Sequence, residues 1–308
     1  MEVKFMSPNA IQRVLGNRFR RIITSTTDGV PPWLNLIADG DDAGLFLPSD
    51  APWIVHRDLS TLIGGIRALL IQALHPGSLA GVAEHSRYET DPLGRLAGTT
   101  RWLTILTFGS HSAIAKESRR VNAMHERVVG EYAPKQGERK QYRASDPHLL
   151  LWVHVAFTDS FLSTFQAYSA NRRQDIADDY VNQWAQAVAP LGLEHAPKSQ
   201  RELKDTIEQF YESGELNTNA QTLRVIKFIK KPPLSKTALF VYAFLFQAAL
   251  VTIPDEFQKM LGLKPWPRWI VQPVARGVLR LMQLAIGKYS PLEEAALDRL
   301  QRIGALHQ

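Results

Sequence analysis

Along most of this chain, apolar positions return every three or four residues and seldom every second one, which is the spacing of helices with one buried face. LSTLIGGIRALLIQAL, residues 59–74, reads as a mostly apolar helix that breaks at His75-Pro76-Gly77. The same spacing predicts helices over 92–108, 111–129, 147–170, 173–190, 199–213, 218–228, 235–251, 254–261, 267–286 and 291–304. Asp146 before Pro147 marks a firm start: the carboxylate caps the first turn, and the proline takes a position whose N–H has no helical partner to lose. Alternation in IITST (22–26) and GLFLPS (44–49) predicts at most two short strands. The fold class is therefore all-α, a single large helical domain.

Polar residues interrupt the apolar faces at a few places. In VNAMHERVVGEYAPK (121–135), Val121, Met124, His125, Val128 and Val129 share one stripe, so His125 is predicted to face inward. His154 lies within LLLWVHVAF (149–157), where nearly every neighbour is apolar, so its imidazole is predicted to be buried. Arg95 and Thr99 are four apart and can look the same way from one helix. His75, Glu84 and His85 complete the set.

Each of these has a purely structural reading. A single inward histidine needs only a nearby donor and acceptor. His75 can simply end a helix, Arg95 can pair with Glu84 or Asp91, and Thr99 can bond its own preceding turn. Together, histidines and an arginine on separate apolar helices are what an all-α protein needs to hold a large flat cofactor through an axial nitrogen.

Composition narrows the chemistry. With 45% hydrophobic and 21% charged residues the chain has an ordinary globular make-up. Cysteine is absent, which removes disulfides, thiolate nucleophiles and sulfur-ligated metals and suits a reducing compartment. The net charge of +6 is spread among acids, so no nucleic-acid partner is expected. The N-terminus has no apolar core of signal-peptide length, and a cytoplasmic location is expected.

TALFVYAFLFQAALVTIP (237–254) is uncharged but short for a span and is read as a buried core helix. The preceding Arg224, Lys227, Lys230, Lys231 and Lys236 leave peripheral membrane contact open. No histidine follows a glutamate by three residues, as a di-iron bundle requires. His125-Glu126 begins a zincin motif that ends in Val129, and GxSxG and P-loop patterns are missing. The glycines of HPGSLAGVAEH make neither a phosphate loop nor a Rossmann fingerprint.

Four segments in order, LLIQALHPGSLAGVAEHS, RLAGTTRWLTILTFG, VNAMHERVVGEY and YRASDPHLLLWVHVAFTDSFL, resemble the DUF2236 family. That family is grouped with fungal MpaB oxygenases and latex-clearing protein, a rubber oxygenase with a globin-like core and haem b. The resemblance covers about residues 50–270. It implies a 51–270 helical domain between an N-terminal extension (1–50) and C-terminal helices (271–308). It further implies a haem-dependent oxygenase acting with dioxygen on a lipophilic alkene or isoprenoid, served by a redox partner the sequence does not identify.

By the same resemblance His125 is the iron ligand and Arg95 and Thr99 lie near the haem. His154 supports the ligand or a propionate, His75 and His85 are further cofactor contacts, and Glu84 is a candidate base. The rubber oxygenase has a distal lysine in the segment matching Arg95–Thr99, and this chain has none there. Two other classes stay open: a lipid-binding or membrane-peripheral protein without haem, and a haem sensor or carrier.

Overall fold

The computed structural model describes residues 30–85, 92–171, 173–286 and 290–307, which form an all-α architecture. Among them are fourteen α-helices: α1 (Leu34–Ala38), α2 (Ala51–Arg57), α3 (Ser60–Gln72), α4 (Pro76–His85), α5 (Pro92–Phe108), α6 (His111–His125) and α7 (Pro147–Tyr168), then α8 (Ala177–Trp184), α9 (Gln200–Glu212), α10 (Ala220–Lys230), α11 (Lys236–Leu250), α12 (Asp255–Leu261), α13 (Arg268–Ile286) and α14 (Pro291–Arg302). An antiparallel hairpin, β1 (Val129–Tyr132) with β2 (Lys140–Arg143), separates α6 from α7.

Helix starts follow the capping chemistry of the sequence. Ser110 accepts from the Ala113 N–H, Asp146 from His148, Ser199 from Glu202 and Ser290 from Glu293, while Asn219 and Thr222 bond each other reciprocally. Each cap satisfies donors that would otherwise lack a partner at the helix end.

The centre of the molecule is the pair α3 and α7, the most extensive helix contact. Gly64 permits it. A Cβ there would stand 2.7 Å from the Phe161 ring and 2.8 Å from the Thr164 hydroxyl. Fully buried Arg67 staples the pair, meeting Asp159 at 2.6 Å and the Ser160 hydroxyl at 2.8 Å. Trp53, Trp152 and Trp184 fill the main core around it.

The first and last described segments both pack into that core. Trp33, Ile37 and Phe46 are buried in it, and Arg299 of α14 reaches the carbonyls of Ile37, Ala43 and Phe108. A second core lies where α11 and α13 meet α3 and the end of α7, through Ile63, Tyr168, Leu245, Ala248, Val271, Ala275 and Leu279.

Several expectations change. GLFLPS makes no strand: its glycine is left-handed (φ +77°) and its chain runs as irregular turn. IITST lies outside the described residues. The predicted 111–129 helix stops at His125, because Val128 and Val129 turn into the hairpin, where the Val128 carbonyl accepts from the Ala144 N–H. The predicted 173–190 helix is one α-helical segment flanked by 3-10 turns.

His75-Pro76-Gly77 ends one helix and starts another, with Pro76 as first residue of α4. In the apolar 237–254 stretch, residues 245–251 are buried, but Phe240 and Val241 are exposed. No described helix is long and apolar enough to cross a membrane.

Candidate cofactor site

A cavity of about 460 Å³ lies between α4, α5, α6 and α7, within the size range of cofactor and small-molecule sites. Its walls are mostly apolar: Val82 of α4, Trp102 of α5, Val121 and Met124 of α6, Phe157 and Phe161 of α7, and Trp184. Tyr142 of β2 closes one side, so the hairpin between α6 and α7 is part of the wall. At Gly98 on α5 an added Cβ would meet nothing within 4 Å, which leaves open space above that stretch of backbone.

Two imidazoles enter this space. His125 is the last residue of α6, and His154 sits in the middle of α7 with only 5% of its surface exposed. Among the described residues, Nδ1 of His125 and Nε2 of His154 are buried with no hydrogen-bond partner. Burial holds the His154 pKa down to about 4, and burial followed by the charge of Arg120 holds His125 below the ordinary imidazole value. Both rings are neutral at pH 7, the form in which imidazole donates to a metal. The indole N–H of Trp102, on the same cavity, is also buried without a partner among the described residues.

The other buried histidines show what a structural role looks like. His56 meets the Thr107 hydroxyl at 2.8 Å through Nδ1 and the Tyr180 hydroxyl at 2.9 Å through Nε2. His75 accepts at Nδ1 from the N–H groups of Gly77 and Ser78, at 3.2 and 3.3 Å, so its Nε2 carries the proton and donates to Glu215 at 3.3 Å. An unpaired buried polar atom costs about 1–3 kcal/mol, so a fold rarely keeps two on one cavity without a use for them.

The sequence-predicted residues thus separate. His125, His154 and Thr99 line the cavity together. His75 is not among the cavity's lining residues; it caps the start of α4 and bonds Glu215. Glu84 and His85 close α4 and Arg95 lies in the first turn of α5, but their side chains are outside the described residues.

Sequence patterns did not single out Trp102, Gly98 or the charge group behind α6. In that group, fully buried Glu117 receives Arg101 at 2.9 Å and Arg120 beside it. Burial raises the Glu117 carboxyl pKa, but the two guanidinium groups outweigh it and hold the carboxyl below its usual range. Arg120 borders the cavity. The i, i+3 spacing of Glu117 and Arg120 was a signal for this pair.

A second group of donors, His75, His148 and Glu215, has its ligand atoms within 4.8 Å of one another. Distance alone would suit a metal. The bonding already present does not, because the Nε2 of His75 holds a proton fixed by the backbone bonds at its Nδ1, and Glu215 accepts from His148 at 2.7 Å as well. The group is a hydrogen-bonded clasp joining the start of α4, the start of α7 and the loop after α9.

Residues 53–285 match the protein family described as "ER-bound oxygenase mpaB/B'/Rubber oxygenase, catalytic domain". No curated protein and no solved structure matches the chain.

Proposed function

We propose that this chain, which belongs to the mpaB/rubber oxygenase catalytic-domain family, binds haem b in the α4–α7 cavity and oxidises a lipophilic, unsaturated or isoprenoid substrate with dioxygen. One observation carries the reading: two neutral imidazoles with unpartnered buried nitrogens enter a single apolar cavity from two helices. Coordination would remove the cost of leaving those nitrogens unpaired.

His125 would hold the haem iron through its imidazole, and His154 would offer a second ring nitrogen to the same group. Bound haem iron supplies the redox chemistry that activates dioxygen. Trp102 of α5 would offer its N–H to orient oxygen or a polar substrate atom, with Thr99 three residues earlier on the same wall. Arg95, one turn before Thr99, would bind a propionate through its permanent charge and fixed fork of donors. Glu84 and His85, at the end of α4, would serve as a base and a further contact. The aromatic and aliphatic walls exclude water and accept an oily chain.

The test is oxygen consumption by haemin-loaded protein with squalene, run with and without an electron supply of NADPH, ferredoxin reductase and ferredoxin, and read together with mass spectrometry of the lipid. Oxygen uptake with new carbonyl or hydroxyl products supports the reading. A haem-loaded protein that consumes no oxygen with squalene or a shorter isoprenoid alkene contradicts the oxygenase part.

A further inference from the structure

Helix α13 has two apolar faces. Val271, Ala275 and Leu279 turn into the second core. A separate stripe at the same three-and-four spacing, Ile270, Pro273, Gly277, Leu281 and Leu284, points the other way, with Leu281 and Leu284 68% and 70% exposed. Arg276 and Arg280 occupy the remaining sector.

The exposed apolar surface continues onto α11. The rings of Phe240, Phe244 and Trp266 form a chain with centroids 5.3 and 5.6 Å apart, and Phe240 and Trp269 are among the most exposed aromatic residues described. Helix α11 packs along α13, and the Tyr242 hydroxyl donates to the Ile229 carbonyl of α10 at 2.6 Å, so the three helices form one surface.

Basic residues, mixed with acids over the chain as a whole, dominate this region. Residues 220–286 hold ten lysines and arginines against two acids, Asp255 and Glu256, an excess larger than the +6 of the whole chain. Arg224, Lys227 and Lys230 of α10, Lys231 just after it and Lys236 at the head of α11 are exposed, and Lys264 and Arg268 flank Trp266.

We propose that the surface formed by α10, α11 and α13 docks on an anionic phospholipid bilayer. Exposed tryptophan, phenylalanine and leucine beside lysine and arginine complement a membrane interface, where rings and aliphatic groups enter the acyl boundary and cations meet head-group phosphates. A nucleic acid would satisfy the cations and leave the leucines in water. A second copy of the chain would set the same positive charges against each other. The helices lie on the bilayer and do not span it. This docking is independent of haem binding.

The test is co-sedimentation of the full chain with phosphatidylcholine vesicles, with and without phosphatidylglycerol, alongside tryptophan quenching by brominated lipids. Binding should require phosphatidylglycerol, weaken with salt and quench tryptophan. Paired Lys230→Glu and Lys231→Glu changes should weaken it by roughly five-fold or more per residue at low ionic strength. Leu281→Ser with Leu284→Ser should abolish quenching while leaving the far-UV spectrum unchanged.

No binding to anionic vesicles would overturn the proposal, as would equal salt-independent binding to neutral ones or binding indifferent to both variant pairs. A dimer in sedimentation velocity that the leucine variant dissolves would assign the face to self-association and overturn it as well.

Discussion

His125 and His154 reach one cavity from two different helices, and each buries a ring nitrogen that no described residue bonds. The contrast with His56, bonded at both nitrogens by Thr107 and Tyr180, separates a site from a core residue. Burial alone would not have done so, because His56 is buried too.

The open space at Gly98 is expected to be used. Gly98→Leu adds a side chain where a Cβ meets no atom, so the fold should persist while the cavity loses room for a flat group. Haemin affinity should fall at least roughly ten-fold, which corresponds to about 1.4 kcal/mol. A haemin titration followed by absorbance checks this, and affinity equal to the parent would place the group elsewhere.

Packing of α3 on α7 is tight enough that a single methyl group should be felt. Gly64→Ala places a Cβ 3.3 Å from the Phe161 Cα as well as against its ring, so the backbone of α7 must give. Overpacking of this kind costs about 1–3 kcal/mol. Urea denaturation should show a lower midpoint with an unchanged slope; a variant as stable as the parent would mean that the helices separate freely.

Acid should destabilise the cofactor-free protein. Burial lowers the His154 pKa to about 4 and the His56 pKa to about 3, below the 6.5 of the unfolded chain. Between pH 6.5 and those values the unfolded state binds more protons, so stability is fully present above 6.5 and is lost as pH falls. Each such histidine contributes about 1.4 kcal/mol per pH unit in that window. Denaturant midpoints from pH 7.5 to 4.5 should drop steadily, and His154→Leu should flatten the slope. An unchanged slope in that variant would mean that His154 is not titrating as a buried neutral ring.

Much of this was legible in the sequence. Helical spacing gave the fold class, Asp146-Pro147 the start of α7, and the apolar run 149–157 the burial of His154. The hairpin was hidden because EYAPKQGERKQYR is mostly polar, and Tyr132 and Tyr142 pack it against α4 through contacts distant in sequence. His75 before Pro76 looked like a helix end. Its imidazole instead takes the part of an N-cap side chain, accepting from two N–H groups of the next helix. Whether a buried nitrogen has a partner is a three-dimensional property, which no spacing of residues along the chain reveals.

The central claim is tested most directly by adding haemin to the purified chain and to its His125→Ala and His154→Ala variants and recording the Soret region. A sharp, stoichiometric Soret band in the parent is expected, lost or shifted in His125→Ala and altered in His154→Ala. A parent protein that takes up no haemin, or a spectrum untouched by both substitutions, would contradict the claim that these two imidazoles hold an iron porphyrin.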